Sequence, residues 1–149
     1  MTSKSPADDS LDIDDFTTVV ETFAGIFIRL PSVEKLSFTT LSVLHTLTHD
    51  GPKRLSELTA TEQVSQPAVT QLVARLERDG LVERRPDPGD RRAVLVRVTA
   101  AGARIVRTRH RDRVAQLALL IDQLTPEERS AVGAALPALM RMAALGGHS

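Results

Sequence analysis

Residues 81–98 carry the pattern that most restricts the fold. Two β-prone runs, Leu81-Val82-Glu83-Arg84-Arg85 and Ala93-Val94-Leu95-Val96-Arg97-Val98, flank Pro86-Asp87-Pro88-Gly89-Asp90. Proline sets φ for a turn, aspartate bonds to nearby backbone and glycine tolerates left-handed geometry, so this spacer predicts a chain reversal between two antiparallel strands. The segments on either side follow helical spacing. The expected fold is therefore mainly α, with one small β-hairpin.

From Ile13 to Leu30, Phe16, Val19, Val20, Phe23, Ile26, Phe27 and Leu30 recur every three or four residues, as on an amphipathic helix that Pro31 ends. A second helix with Leu41, Leu44 and Leu47 is expected to start at the capping residues Thr39 and Thr40 and to stop at Asp50-Gly51-Pro52. A short third helix carries Leu55 and Leu58. Ser65 is a strong N-cap for a fourth, with Pro67 in its first turn, Val69, Leu72, Val73 and Leu76 on its inner face, and Asp79-Gly80 at its end. After the hairpin, Thr99 caps a long fifth helix. Thr125-Pro126-Glu127-Glu128 starts a sixth, whose stripe of Val132, Leu136, Leu139, Met140 and Ala143 is interrupted by Pro137, an expected kink or break.

Residues 1–10, rich in Ser, Asp and Pro, read as a flexible tail. Asp8, Asp9, Asp12, Asp14 and Asp15 stand where a secretory leader needs positive charge, and no apolar run is long enough to cross a bilayer. A cytoplasmic location without a membrane partner is expected. The absence of cysteine excludes disulfides, thiolate metal sites and cysteine redox sensing.

The zero net charge conceals an uneven distribution. Residues 1–52 hold three Lys/Arg against eight Asp/Glu, residues 53–113 hold fourteen against eight, and residues 114–149 hold two against three. A basic middle between acidic or neutral ends suits a chain whose centre meets phosphate. With Val69, Leu72, Val73 and Leu76 turned inward, the fourth helix presents Gln66, Ala68, Thr70, Gln71, Arg75 and Arg78 outward. Gln can bond adenine bidentately, Ala and the Thr methyl can touch a thymine methyl, and Arg can bond phosphate or guanine. In the hairpin, Arg84, Arg85, Arg91 and Arg92 fall within nine residues. An arginine at such a tip can enter a narrow minor groove, and Arg92 is the first choice. The competing reading of both features is a solvated helix face and a charged turn that keeps the hairpin soluble.

Two short helices, a polar helix face and a charged hairpin follow one another in the order of a winged helix-turn-helix. The stretch from Gly51 to Gly102 resembles the multiple antibiotic resistance regulator (MarR) family, most specifically in Val64-Ser65-Gln66-Pro67-Ala68-Val69-Thr70 and in Asp90-x-Arg92-x-x-x-Val96-x-Val98-Thr99. The flanking helices match the family layout as well.

The resemblance implies a sequence-specific transcriptional regulator, a repressor in many relatives, that binds a pseudo-palindromic double-stranded DNA operator as a homodimer. It also implies release by a small aromatic effector. It divides the chain into helical dimerisation segments at 11–35 and 100–149 and a winged helix-turn-helix DNA-binding domain at 36–99. Ser65, Gln66, Pro67, Ala68, Thr70, Gln71 and Arg75 become the recognition-helix residues, and Arg85, Asp90, Arg91 and Arg92 those of the wing. In that scheme Asp90 holds the wing arginine through an ion pair. The chain departs from the family at Gln63, where glycine is common, at Thr59, where a small alanine is usual, and at Gln71, which is often arginine.

Phe16, Phe23, Phe27 and Phe38 are the only aromatics. They fit a dimer core or, with Phe23, Phe27, Phe38 and His45, an apolar effector pocket. His45 and His49 lie four apart on one helix, with His110 on the fifth, a spacing that leaves a metal-responsive regulator open. No metal or cofactor is required by the sequence. An enzyme is disfavoured, since the chain has no glycine-rich phosphate loop, no zinc-protease histidine pair and no cysteine nucleophile. A winged helix that binds only another protein is the remaining alternative.

Overall fold

Capping side chains set where most of the helices begin. A computed structural model describes residues 11–29 and 36–147. They belong to two compact units, residues 1–35 and 36–149. The expected tail at 1–10, the helix end at Leu30-Pro31 and the two C-terminal residues lie outside the described residues.

The first unit contains α1, Ile13–Arg29. Asp12 Oδ1 accepts the backbone N–H groups of Asp14 at 2.9 Å and Asp15 at 3.2 Å, so two donors of the first turn are satisfied. None of its residues is buried.

The second unit runs α2 (Phe38–His49), β1 (Lys53–Arg54), α3 (Leu55–Glu62), α4 (Gln66–Arg78), β2 (Val82–Asp87), β3 (Asp90–Val98), α5 (Ala100–Ile121) and α6 (Pro126–Gly146). Ser37, not Thr39 or Thr40, caps α2. Its Oγ accepts the Thr40 N–H at 3.2 Å and bonds the Thr40 hydroxyl at 2.9 Å. The helix begins one turn before its apolar stripe, on the exposed Phe38, which is why counting from Leu41 misplaces the cap. Ser65, Thr99 and Thr125 cap α4, α5 and α6 as expected, and Thr125 forms a reciprocal box with Glu128.

The hairpin is part of a three-stranded antiparallel sheet in the order β1-β3-β2. Lys53 pairs with Val96 and Arg54 with Leu95, a strand too short to show a period in sequence. Leu44, Leu47, Leu58, Val69, Val73, Leu76, Val82 and Val96 form the centre of one core that joins α2, α3, α4 and the sheet, and Val106 adds α5. At roughly 1.5–3 kcal/mol for each fully buried side chain, this cluster is the main source of stability in the unit.

Gly102 lets α5 start close to the sheet. A Cβ there would overlap the Leu81 carbonyl oxygen and the Val98 side chain. The Thr99 hydroxyl donates to Gly80 O at 2.6 Å, and the Thr99 N–H donates to Leu81 O at 3.0 Å. The wing is thus tied at its root to the end of α4.

The expected interruption of α6 does not occur as a break: the helix is continuous through Pro137. Proline removes one intrahelical donor and crowds the carbonyl four residues earlier. That residue is Gly133, exposed and with open space where a Cβ would stand, so solvent can reach the freed carbonyl.

Candidate nucleic-acid interface

The fourth helix divides cleanly between core and solvent. Val69, Leu72, Val73 and Leu76 are buried, whereas Ser65, Gln66, Pro67, Ala68, Thr70, Gln71, Arg75 and Arg78 are exposed. Ser65 Oγ accepts the Ala68 N–H, so its side chain serves the helix start. The Thr70 hydroxyl donates to Gln66 O at 2.9 Å, which leaves its methyl free for an apolar contact.

The turn into α4 contains Gln63 at φ 53°, ψ 36°, the left-handed geometry expected where relatives often carry glycine. For an L-residue this costs about 1 kcal/mol or more. It lets the chain reverse between α3 and α4 within three residues.

The wing sits beside α4 and is joined to it. Arg84 Nε lies 3.4 Å from Glu77 Oε2, and the Arg84 backbone N–H donates to Glu77 Oε1 at 3.3 Å. Arg85 pairs with Glu83 on its own strand at 3.0 Å. Arg91 and Arg92, which leave the tip, are exposed and make no ion pair among the described residues.

Asp90 takes a different part from the one the resemblance implies. Its Oδ1 accepts the backbone N–H of Arg92 at 3.0 Å, shaping the turn, and no ion pair to the Arg92 guanidinium forms. Of the two turn carboxylates, Asp87 is the one that receives a guanidinium. Arg54 donates to it from Nε at 2.8 Å and Nη2 at 2.5 Å. The Gly89 N–H and then Arg54 hold the Asp87 carboxyl below its ordinary range, and Asp87 raises the Arg54 guanidinium above its own. This pair escapes sequence reasoning because its partners are 33 residues apart; the only local clue is Glu57, three residues after Arg54, whose carboxylate caps its N–H at 2.6 Å.

A cavity of about 720 Å³ opens between α2 and α5. Phe38 and His45 line it, together with Leu41, Val106, Arg109 and Val114. Phe23 and Phe27 are on α1, in the other unit. His49 and His110 also reach the cavity, and the His45 and His49 rings have centroids 4.2 Å apart. Burial, then His49 and Arg113, lower the His45 pKa, which favours a neutral imidazole. Among the described residues no group of three His, Asp or Glu side chains is placed to hold a metal ion.

Comparison with known proteins decides the family. A profile described as the MarR family matches residues 36–94. An uncharacterized HTH-type transcriptional regulator of Mycobacterium bovis is 34% identical over 114 residues, 76% of this chain and 79% of the relative. The chain belongs to the MarR family. The HTH-type transcriptional repressor NicR of Pseudomonas putida is 37% identical over 76 residues, 51% of this chain and 46% of NicR. The solved structure of the transcriptional regulator Tm0710 from Thermotoga maritima superposes with a TM-score of 0.75 at 25% identity, covering 91% of this chain and 99% of that one. As a MarR-family member the protein is a DNA-binding helix-turn-helix transcriptional regulator and not an enzyme. No helix among the described residues is long and apolar enough to cross a membrane.

Proposed function

We propose that the protein is a homodimeric repressor that reads an imperfect palindrome with α4 in the major groove and the Arg91-Arg92 tip in the flanking minor groove. The observation that carries this reading is the split face of α4: one side locked into the core, the other an unbroken exposed set of Gln66, Ala68, Thr70, Gln71 and Arg75, with the wing fastened alongside through Glu77 and Arg84. Such a face supports base readout, and the tip arginines support recognition of groove shape. NicR, a relative named as a repressor, supports the negative sign of regulation.

Self-association is supported by apolar side chains that are exposed on α5 and α6, among them Leu119, Leu120, Leu136, Met140 and Leu145. The segments 11–35 and 100–149 serve dimerisation in this reading, and 36–99 binds DNA. Two-fold symmetry would set the half-sites about one helical turn, roughly 10 bp, apart. A role on operator DNA supports a cytoplasmic location.

The cavity between α2 and α5 is the proposed effector site. Its apolar lining of Phe38, Leu41, Val106 and Val114 suits a small aromatic ring, and its occupation would release DNA by favouring a dimer with altered spacing of the recognition helices.

Footprinting of genomic fragments, followed by salt titration on operator and scrambled duplexes, tests the proposal. Gln71→Ala should lose about 1–3 kcal/mol on operator and little on scrambled DNA. Arg92→Ala should lower the salt slope by about one unit. Light scattering should return twice the 16.2 kDa chain mass, and deletion of residues 125–149 should abolish dimerisation and operator binding together. Binding that ignores both salt and sequence would favour a protein-interaction module, and a single asymmetric half-site would overturn the dimer.

A further inference from the structure

Arg54 stands where three elements meet. It closes β1 opposite Leu95 of β3, and its backbone N–H is capped by Glu57 as α3 begins. Its side chain leaves this neighbourhood and grips Asp87 at the far end of β2. Asp87 is only 8% exposed. Its second oxygen, Oδ1, accepts the Gly89 N–H at 2.8 Å, and across the turn it pairs with Asp90, which accepts the Arg92 N–H. The ladder is irregular between Pro86 and Asp87, so regular strand pairing does not extend to the tip.

We propose that Arg54 is a positioning residue for DNA recognition: it ties the wing tip to the start of α3 and so fixes Arg91 and Arg92 relative to α4. This rests on the reading of α4 and the wing as the DNA-contacting elements. A two-stranded ribbon held only by its own ladder is marginally ordered, and ordering it on binding would weaken affinity. Two donors from one planar guanidinium hold the wing tip at a set angle, which an ammonium on a flexible stem cannot reproduce. The depressed Asp87 carboxyl keeps the acceptor charged wherever the protein is folded near neutral pH. Arg54 thereby serves the flanking contacts while the base-reading face of α4 stays as it is.

Amide hydrogen exchange on the free protein and binding to operators with A·T-rich or G·C-rich flanks test this together. In Arg54→Met the Gly89 and Arg92 amides should exchange about tenfold faster while those of Leu72 and Val73 in α4 are unchanged. The variant should lose preference for A·T-rich flanks yet still discriminate operator from scrambled DNA. Combined with Arg92→Ala it should add no further loss. Arg54→Lys should not restore the flank preference; full rescue by lysine would assign Arg54 a direct phosphate contact and overturn the proposal. Unchanged wing exchange, or equal loss of operator and flank discrimination, would overturn it as well. Should Arg54→Met not fold, Asp87→Asn weakens the same contact from the wing side and carries the same expectations. Faster wing exchange in a protein whose wild type binds no duplex would sink the DNA reading and leave the tether standing.

Discussion

Helices α4 and α6 obey the same spacing rule and have opposite surroundings. In α4, Val69, Leu72, Val73 and Leu76 recur at helical intervals and every one is buried. In α6, Val132, Leu136, Leu139 and Met140 do the same and are 47, 51, 37 and 72% exposed. The first stripe has α2, α3 and the sheet to cover it, whereas the second has no such cover among the described residues of its own unit. A period of 3.6 tells which side of a helix is apolar and leaves open what that side meets.

That contrast is broken most severely by truncating one leucine in each region. Leu44→Ala, at a fully buried site, should destabilise the second unit by about 2–5 kcal/mol. Leu136→Ala should change the stability of the dilute monomer by no more than about 0.5 kcal/mol. Its effect should appear instead as a shift of the self-association midpoint to higher protein concentration. Denaturant titrations at two protein concentrations read both quantities. A large concentration-independent loss in Leu136→Ala would mean that α6 is covered by its own chain.

Gly102→Ala should come next, because an added methyl meets the rigid backbone carbonyl of Leu81, where no side chain can swing away. Overpacking of this kind costs about 1–3 kcal/mol. Wild-type stability in a urea titration would show that α5 shifts freely from the wing root, and the comparison between a fixed lobe and loosely covered terminal helices would have to be redrawn.

What could be read in the sequence is what local chemistry decides. The inner face of α4, the caps Ser65, Thr99 and Thr125 and the hairpin each depend on residues within a few positions of one another. The misses depend on distant partners or on exposure. β1 exists because Val96 and Leu95 pair with it, and the two residues Lys53-Arg54 show no pattern alone. The tie from Arg54 to Asp87 has no sequence signature. Asp90 and Asp87 both stand in the turn, and only the fold decides which carboxylate meets a guanidinium. Pro137 is tolerated because Gly133 is exposed, a fact of environment. Of the expected effector residues, Phe38 and His45 line the cavity because they lie on α2, and the arginines of α5 that share it were legible only as charge.

A smaller effect is expected from acid. Asp87 has a lowered pKa in the folded protein, so the folded state holds the proton less tightly than the unfolded chain does. The stabilisation is present above the ordinary value of 3.8 and is lost as pH falls below it toward the folded value. Between pH 5 and pH 3 the wild-type melting temperature should therefore fall more steeply than that of Asp87→Asn, which has no charge to lose. Parallel curves would show that the wing contact contributes nothing to the lobe's stability and acts on the geometry of the tip alone.

The least effect should come from relieving the one strained turn in the well-covered lobe. Gln63 is the only non-glycine residue with positive φ among those described, at 53°, while Gly51 and Gly80 occupy the same region without a Cβ. Gln63→Gly removes the clash of the side chain with its own backbone but frees the unfolded chain, and the two effects oppose each other. The balance should be a gain of up to about 1 kcal/mol. Because Gln63 lies two residues before the Ser65 cap, the variant should also leave the entry angle of α4 unchanged and operator affinity with it. A gain in stability with unaltered binding identifies the strain as incidental. A gain in stability with weakened operator binding would instead show that Gln63 holds the first turn of α4, and Gln66 within it, in the orientation used to meet DNA.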